Sequence, residues 1–190
     1  SETTSPATSE TTATSAPDPT LEALLLDVGD LPEGFEQAGS GVDDTVTTFC
    51  VGTDAAGGLQ ASARAVRGFA NTGQAVVQLA FRFEEGDAAA FVAQAEQAFR
   101  SCHEVPGDGG LAFAYEPLAA PVQEAVEGRV DAWAGRHGTS VGSEAFTTQT
   151  VVVHRGDLGM LVSVLGVELP RAELDALATA VFSAALERLP

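Results

Sequence analysis

Five residues, Gly138-Thr139-Ser140-Val141-Gly142, carry the G-x-S-x-G spacing of an elbow that exposes a nucleophilic serine between a strand and a helix. The chemistry would be acyl transfer, with an acid and a base arriving later in the chain. The context argues against it. The segment from Phe146 to His154 reads as a strand where a helix is required, and His154 precedes Asp157, the reverse of the hydrolase order. The spacing therefore predicts a glycine-rich hairpin loop, no catalysis at Ser140 and no enzyme.

Metal chemistry fares no better. His103, His137 and His154 stand alone in the chain, outside any H-x-H, H-E-x-x-H or C-x-x-C arrangement that would bring ligands together locally. Asp43 and Asp44 lack the alternating oxygen ligands and distal Glu of a calcium loop, so they read as a solvated turn. No metal and no cofactor is expected. Arg155-Gly156-Asp157 spells an adhesion tripeptide, but a Gly-Asp pair between two β-branched runs is also what a tight hairpin needs. Asn71 is followed by Thr72-Gly73 and forms no glycosylation acceptor.

Binding is the chemistry left. Trp133, Tyr115 and Met160 are the single members of their types. Met160 lies in a strand between Leu158 and Val162 and reads as core. Trp133 stands among Arg129, Asp131 and Arg136, the mixture of apolar ring and charge found at a cleft rim. Ligand binding is therefore expected at Trp133, with Arg136 or Arg129 fixing an anionic group; core packing is the alternative for the ring.

Cys50 and Cys102 are the only cysteines, which permits one bridge and one connectivity. Cys50 closes a strand and Cys102 falls on the apolar stripe of a helix, so a disulfide would tie sheet to helix in an oxidising compartment. It would add about 4 kcal/mol by loop-entropy arithmetic. Two buried thiols in a reducing compartment are the alternative.

The elements that must position these residues follow from periodicity. Thr20 is expected to cap a helix with Leu21, Leu24, Leu25 and Val28 on its apolar face, ending at Gly29. Strands are expected at Thr45 to Val51, Leu59 to Phe69 and Ala75 to Glu84. In the last of these, Val77, Leu79, Phe81 and Phe83 face the core while Gln78, Arg82 and Glu84 face away. Asp87 opens a helix bearing Phe91, Val92, Ala95, Phe99 and Cys102. Leu111 to Leu118 reads as a strand, Pro121 to Glu127 as a helical turn, and Arg129 to Arg136 is ambiguous. Phe146 to His154 and Leu158 to Val167 form the clearest hairpin, and a final helix follows Pro170. Strands joined by turns rather than helical crossovers give an α+β fold: a mainly antiparallel twisted sheet with packed helices, which cover one face or the two ends, and one disulfide.

Residues 1–20 contain 14 Ser, Thr or Pro and no Leu, Ile, Val or Phe, too little apolar surface to fold. They are a tether, glycosylated or plain, and residues 21–190 form the globular domain. A net charge of -18, with 27 acidic residues against nine arginines, argues against nucleic acid and anionic lipid as partners. No run is long and apolar enough to span a membrane, so membrane contact is expected only through an N-terminal anchor ahead of Ser1.

Leu24-Leu25-Leu26, then Asp30-Leu31-Pro32-Glu33-Gly34-Phe35, Cys50 after a strand, Cys102 closing a helix, the Arg155-Gly156-Asp157 hairpin and a last amphipathic helix resemble the extracellular sensor domains of the PknH-like family. The resemblance spans Leu21 to Pro190. Such domains occur in actinobacterial envelopes, as kinase ectodomains or as lipoproteins on Ser/Thr-rich tethers. It implies a twisted antiparallel sheet, a cleft for a small ligand and no enzymatic activity. A second cysteine pair of the kinase-type members is missing here, which favours the lipoprotein form. The expected function is a non-catalytic ligand-binding or sensor domain, extracytoplasmic and anchored to the outer face of the plasma membrane, with a small molecule or envelope glycolipid or glycan as ligand. The alternative is a cell-envelope lipoprotein acting through a protein partner, with no small-molecule site.

Overall fold

The computed structural model describes residues 18–39, 48–50, 53–54, 61–84, 86–101, 104–105, 111–112, 114–116, 118, 131–141 and 144–190. The elements in chain order are α1 (Pro19–Glu22), a 3-10 turn (Val28–Asp30), β1 (Glu36–Gln37), β2 (Thr48–Cys50), β3 (Thr53–Asp54), β4 (Ala61–Asn71), β5 (Gln74–Phe83) and α2 (Asp87–Ser101). There follow β6 (Glu104–Val105), β7 (Leu111–Ala112), β8 (Ala114–Glu116), β9 (Asp131–Val141), β10 (Glu144–Arg155), β11 (Leu158–Val167) and α3 (Arg171–Glu187).

Seven of these strands make one sheet in the order β1-β4-β5-β11-β10-β9-β8. Every pair is antiparallel, as the α+β reading expects. The β10–β11 hairpin pairs Arg155 with Leu158 across a two-residue turn. Gly156 takes φ +61 there, the left-handed backbone that a tight hairpin turn favours.

The sheet is buried on both sides, which corrects the expectation that the helices share one face or cap the ends. On one side Val77, Leu79, Phe81, Phe83, Val152 and Leu161 pack with Ala88, Phe91 and Ala95 of α2. On the other, Val76, Ala80, Val151, Val153, Met160 and Val162 pack with Leu174, Val181, Phe182 and Ala185 of α3, and with Leu21, Leu24, Leu25 and Leu26. The period-two reading of β5 places its side chains correctly, but the face given to solvent is covered. Gln78 is fully buried.

The N-terminal segment differs from the expected helix. Asp18, not Thr20, is the cap, its carboxylate accepting from the Thr20 amide at 2.9 Å. The α-helix stops at Glu22. Leu24 and Leu25 stay buried, yet Val28 is half exposed. The chain leaves helical geometry because its backbone finds partners in the sheet: Gln78 Oε1 accepts from Leu26 N at 2.6 Å and Gln78 Nε2 donates to Leu24 O at 2.9 Å. Two external bonds replace helical ones, so the apolar residues follow the sheet surface instead of a 3.6 period.

The ambiguous stretch around Arg129 to Arg136 resolves into β9, an eleven-residue strand from Asp131. Gly135 and Gly138 interrupt its side-chain pattern and hide the alternation. The expected strand at Leu111 to Leu118 is two short pieces, β7 and β8. Cys50 ends β2, while Cys102 lies outside the described residues, as do the turn at Pro121 to Glu127 and residues 1–17 of the tether.

Candidate functional site

Arg136 stands in β9 directly opposite Gln149 of β10. It is only 4% exposed, and Gln149 is fully buried. A guanidinium in that setting costs several kcal/mol of lost hydration unless it is paired. The partner comes from α3: Arg136 Nη2 donates to Asp175 Oδ1. Gln149 Nε2 donates to the same carboxylate oxygen at 2.6 Å. Strand and helix are thus joined through one acceptor.

Toward the surface the cluster continues through Glu116 of β8, 3.8 Å from Arg136 Nη1, and Arg171 at the start of α3, 3.6 Å from Glu116. Both are exposed. Two arginines and two carboxylates balance, so the cluster has no net charge to offer an anion. Among the described residues, two buried atoms in it have no partner, the donor Arg136 Nε and the acceptor Gln149 Oε1. What the arrangement does chemically is pair a buried guanidinium with a helix carboxylate across the strand–helix contact.

Of the expected site residues, Trp133 and Arg136 both stand in β9. Trp133 stands opposite Val152, and Arg136 opposite Gln149. Val152 sits in the α2-side cluster, whereas Gln149 bonds Asp175 of α3. Arg136 meets Asp175 of α3. Arg129 lies outside the described residues. Met160 is fully buried against the Gln78 amide, in the core as expected.

Ser140 is an extended residue of β9 opposite Ala145 of β10; a strand-to-helix elbow is absent at this position. His137 pairs with Tyr115 and Thr148, and His154 with Asp131 and Gly159. His103, Asp43 and Asp44 lie outside the described residues. Among the described residues no group of three His, Cys, Asp or Glu is placed to hold a metal ion. The adhesion-like tripeptide is tied to its own domain. Asp157 accepts from Arg82 Nη1 at 2.7 Å, and Arg155 Nη1 donates to Leu189 O at 3.5 Å.

Sequence reading misses Gln149, Asp175, Glu116 and Arg171. A signal exists for the first two: Gln149 interrupts a β-branched run, and Asp175 falls between Leu174 and Leu177 near the apolar stripe of α3. Buried polar residues in apolar patterns need partners, and these two partner each other.

A second polar system holds the leucine-rich segment. Arg67 donates to Leu26 O at 2.9 Å and to Asp27 at 2.6 Å, and pairs with Glu22 at 3.1 Å. Arg188 donates to Leu25 O at 2.7 Å and to Asp30. The motif from Leu24 to Asp30 is therefore scaffold, clamped to β4, β5 and α3.

Neither a protein-family model nor a curated protein matches the sequence. Among solved structures, the fold is similar to the crystal structure of the extracellular domain of PknH from Mycobacterium tuberculosis, with a TM-score of 0.57 and 12% identity over 88% of this chain and 96% of that one. The likeness is one of fold. No helix among the described residues is long and apolar enough to cross a membrane.

Proposed function

We propose that this chain is a non-catalytic, extracytoplasmic ligand-binding or sensor domain, carried on its Ser/Thr/Pro-rich segment at the outer face of a plasma membrane. The observation that carries the reading is the near-complete overlap with an extracellular domain, 96% of that chain, joined to the composition of residues 1–20. A domain that covers its neighbour almost end to end shares its architecture rather than one motif. Two further features support it. β2, which ends at Cys50, lies against α2, the placement a Cys50–Cys102 bridge needs. Ser140 lies within β9 opposite Ala145 of β10, in strand geometry and not at a strand-to-helix elbow.

The ligand class that fits an envelope location is a small glycan or glycolipid. Trp133 is the only tryptophan, so its fluorescence reports alone. A change of intensity or wavelength on titration with envelope glycan fragments, lost in Trp133→Phe, supports a ligand site. Unchanged, blue-shifted emission, with Trp133→Ala costing about 3 to 5 kcal/mol of stability, assigns the ring to the core and favours a lipoprotein that works through a protein partner.

A further inference from the structure

We infer that Arg136 and Gln149 form a buried receptor for a single hydroxyl group, supplied by water or by a polyol such as a sugar. The polyol source rests on the ligand-binding reading above; the receptor itself does not. The argument begins with what the two side chains leave unmade. Among the described residues, Arg136 Nε is a donor with no acceptor and Gln149 Oε1 an acceptor with no donor, both fully enclosed. Nearly all such groups in folded proteins are paired, with protein or with ordered water.

The two residues belong to one place. Their residues are register partners on adjacent strands, and both side chains converge on Asp175 Oδ1 through Arg136 Nη2 and Gln149 Nε2. Each unpaired atom is two covalent bonds from the nitrogen that touches that oxygen. Asp175 anchors both side chains at one oxygen, which keeps the donor-bearing and acceptor-bearing groups side by side.

The chemistry of the guest follows from the inventory of the site. A guanidinium nitrogen only donates and an amide oxygen only accepts. A carboxylate or phosphate could accept from Nε but could not donate to Oε1 without carrying a proton. An ammonium could donate to Oε1 but could not accept, and it would face the Arg136 charge. A hydroxyl does both through one oxygen. The site's own charge is already balanced by Asp175, with Glu116 and Arg171 outside it, so a neutral guest costs no uncompensated charge. Glu116 and Arg171 at the exposed side can bind the further hydroxyls of a polyol and not those of a lone water.

The test is a crystal structure of the full chain at a resolution that shows ordered water, grown and frozen without polyols, then repeated with mannitol. One oxygen within hydrogen-bond distance of both Arg136 Nε and Gln149 Oε1 in the polyol-free crystals establishes the receptor with water as its occupant. Replacement of that oxygen by a mannitol hydroxyl, with further contacts to Glu116 or Arg171, assigns it to polyols. In solution, the Arg136 Nε–H resonance should shift with mannitol in the second case only, and Gln149→Leu should abolish the shift. An empty site, or Nε and Oε1 bonded directly to each other or to other protein groups, overturns the inference. None of these results bears on whether the domain lies outside the cytoplasm, so failure here and failure of that reading stay separable.

Discussion

The side chain of Gln78 bonds the backbone on both sides of Leu25: its Oε1 accepts from Leu26 N at 2.6 Å and its Nε2 donates to Leu24 O at 2.9 Å. A fully buried amide thereby acts as an extra strand partner for a segment with no strand of its own. It is the contact through which β5 holds the three leucines over the sheet.

Replacing Gln78 with Leu keeps the volume and removes both bonds. Leu26 N–H and Leu24 C=O are then left without their partner in the core, at about 1 to 3 kcal/mol each. Urea unfolding of Gln78→Leu should show a loss of roughly 2 to 5 kcal/mol with no change in the far-ultraviolet spectrum. A loss under about 1 kcal/mol would mean that the leucine segment is held by Arg67 and Arg188 alone.

Gly159 is the point where β11 passes beneath two aromatic rings. A methyl group there would stand 2.6 Å from Phe83 Cε2 and 3.1 Å from Phe91 Cδ1. The rings pack on each other, with centroids 5.1 Å apart, and have little room to yield. Gly159→Ala should therefore cost about 1 to 3 kcal/mol from overpacking, read as a lower urea midpoint. Phe83→Leu combined with it should recover part of the loss, because a smaller side chain frees the space. Additive losses in the double variant would show that the clash is not the cause.

Asp18 gives the fold a dependence on acid. The Thr20 amide that donates to its carboxylate, followed by Arg82, holds its pKa below the ordinary aspartate value. A carboxyl depressed on folding contributes stability that is present above its unfolded pKa and lost as pH falls through the folded one. Asn in its place can still cap α1 but cannot ionise. The wild type should therefore melt at a higher temperature than Asp18→Asn at neutral pH, and the difference should shrink toward zero below the aspartate range. A difference independent of pH would assign the effect to geometry and not to charge.

The long antiparallel strands and the two regular helices were legible because their side chains alternate or recur with one face buried. The second covered face was not. The polar residues Gln78 and Gln149 look like solvent markers in a strand, and only the bonds they make to Leu24, Leu26 and Asp175 reveal them as core. β9 stayed ambiguous because Gly135 and Gly138 carry no side chain to show the period. For the candidate site, Arg136 was legible as a cation able to fix an anionic group, but its carboxylate partner on α3 was not. Asp175 lies 39 residues further along the chain, and a pairing at that distance is set by how α3 packs back on the sheet.

The most direct measurement of the central claim is protease accessibility in intact cells of the source organism producing the protein from its native gene. Protease added outside should remove the domain while a cytoplasmic marker stays whole, and the released domain should resist alkylation at Cys50 and Cys102 until it is reduced. A domain protected until the cells are lysed, with both thiols free to alkylate, would contradict the extracytoplasmic account.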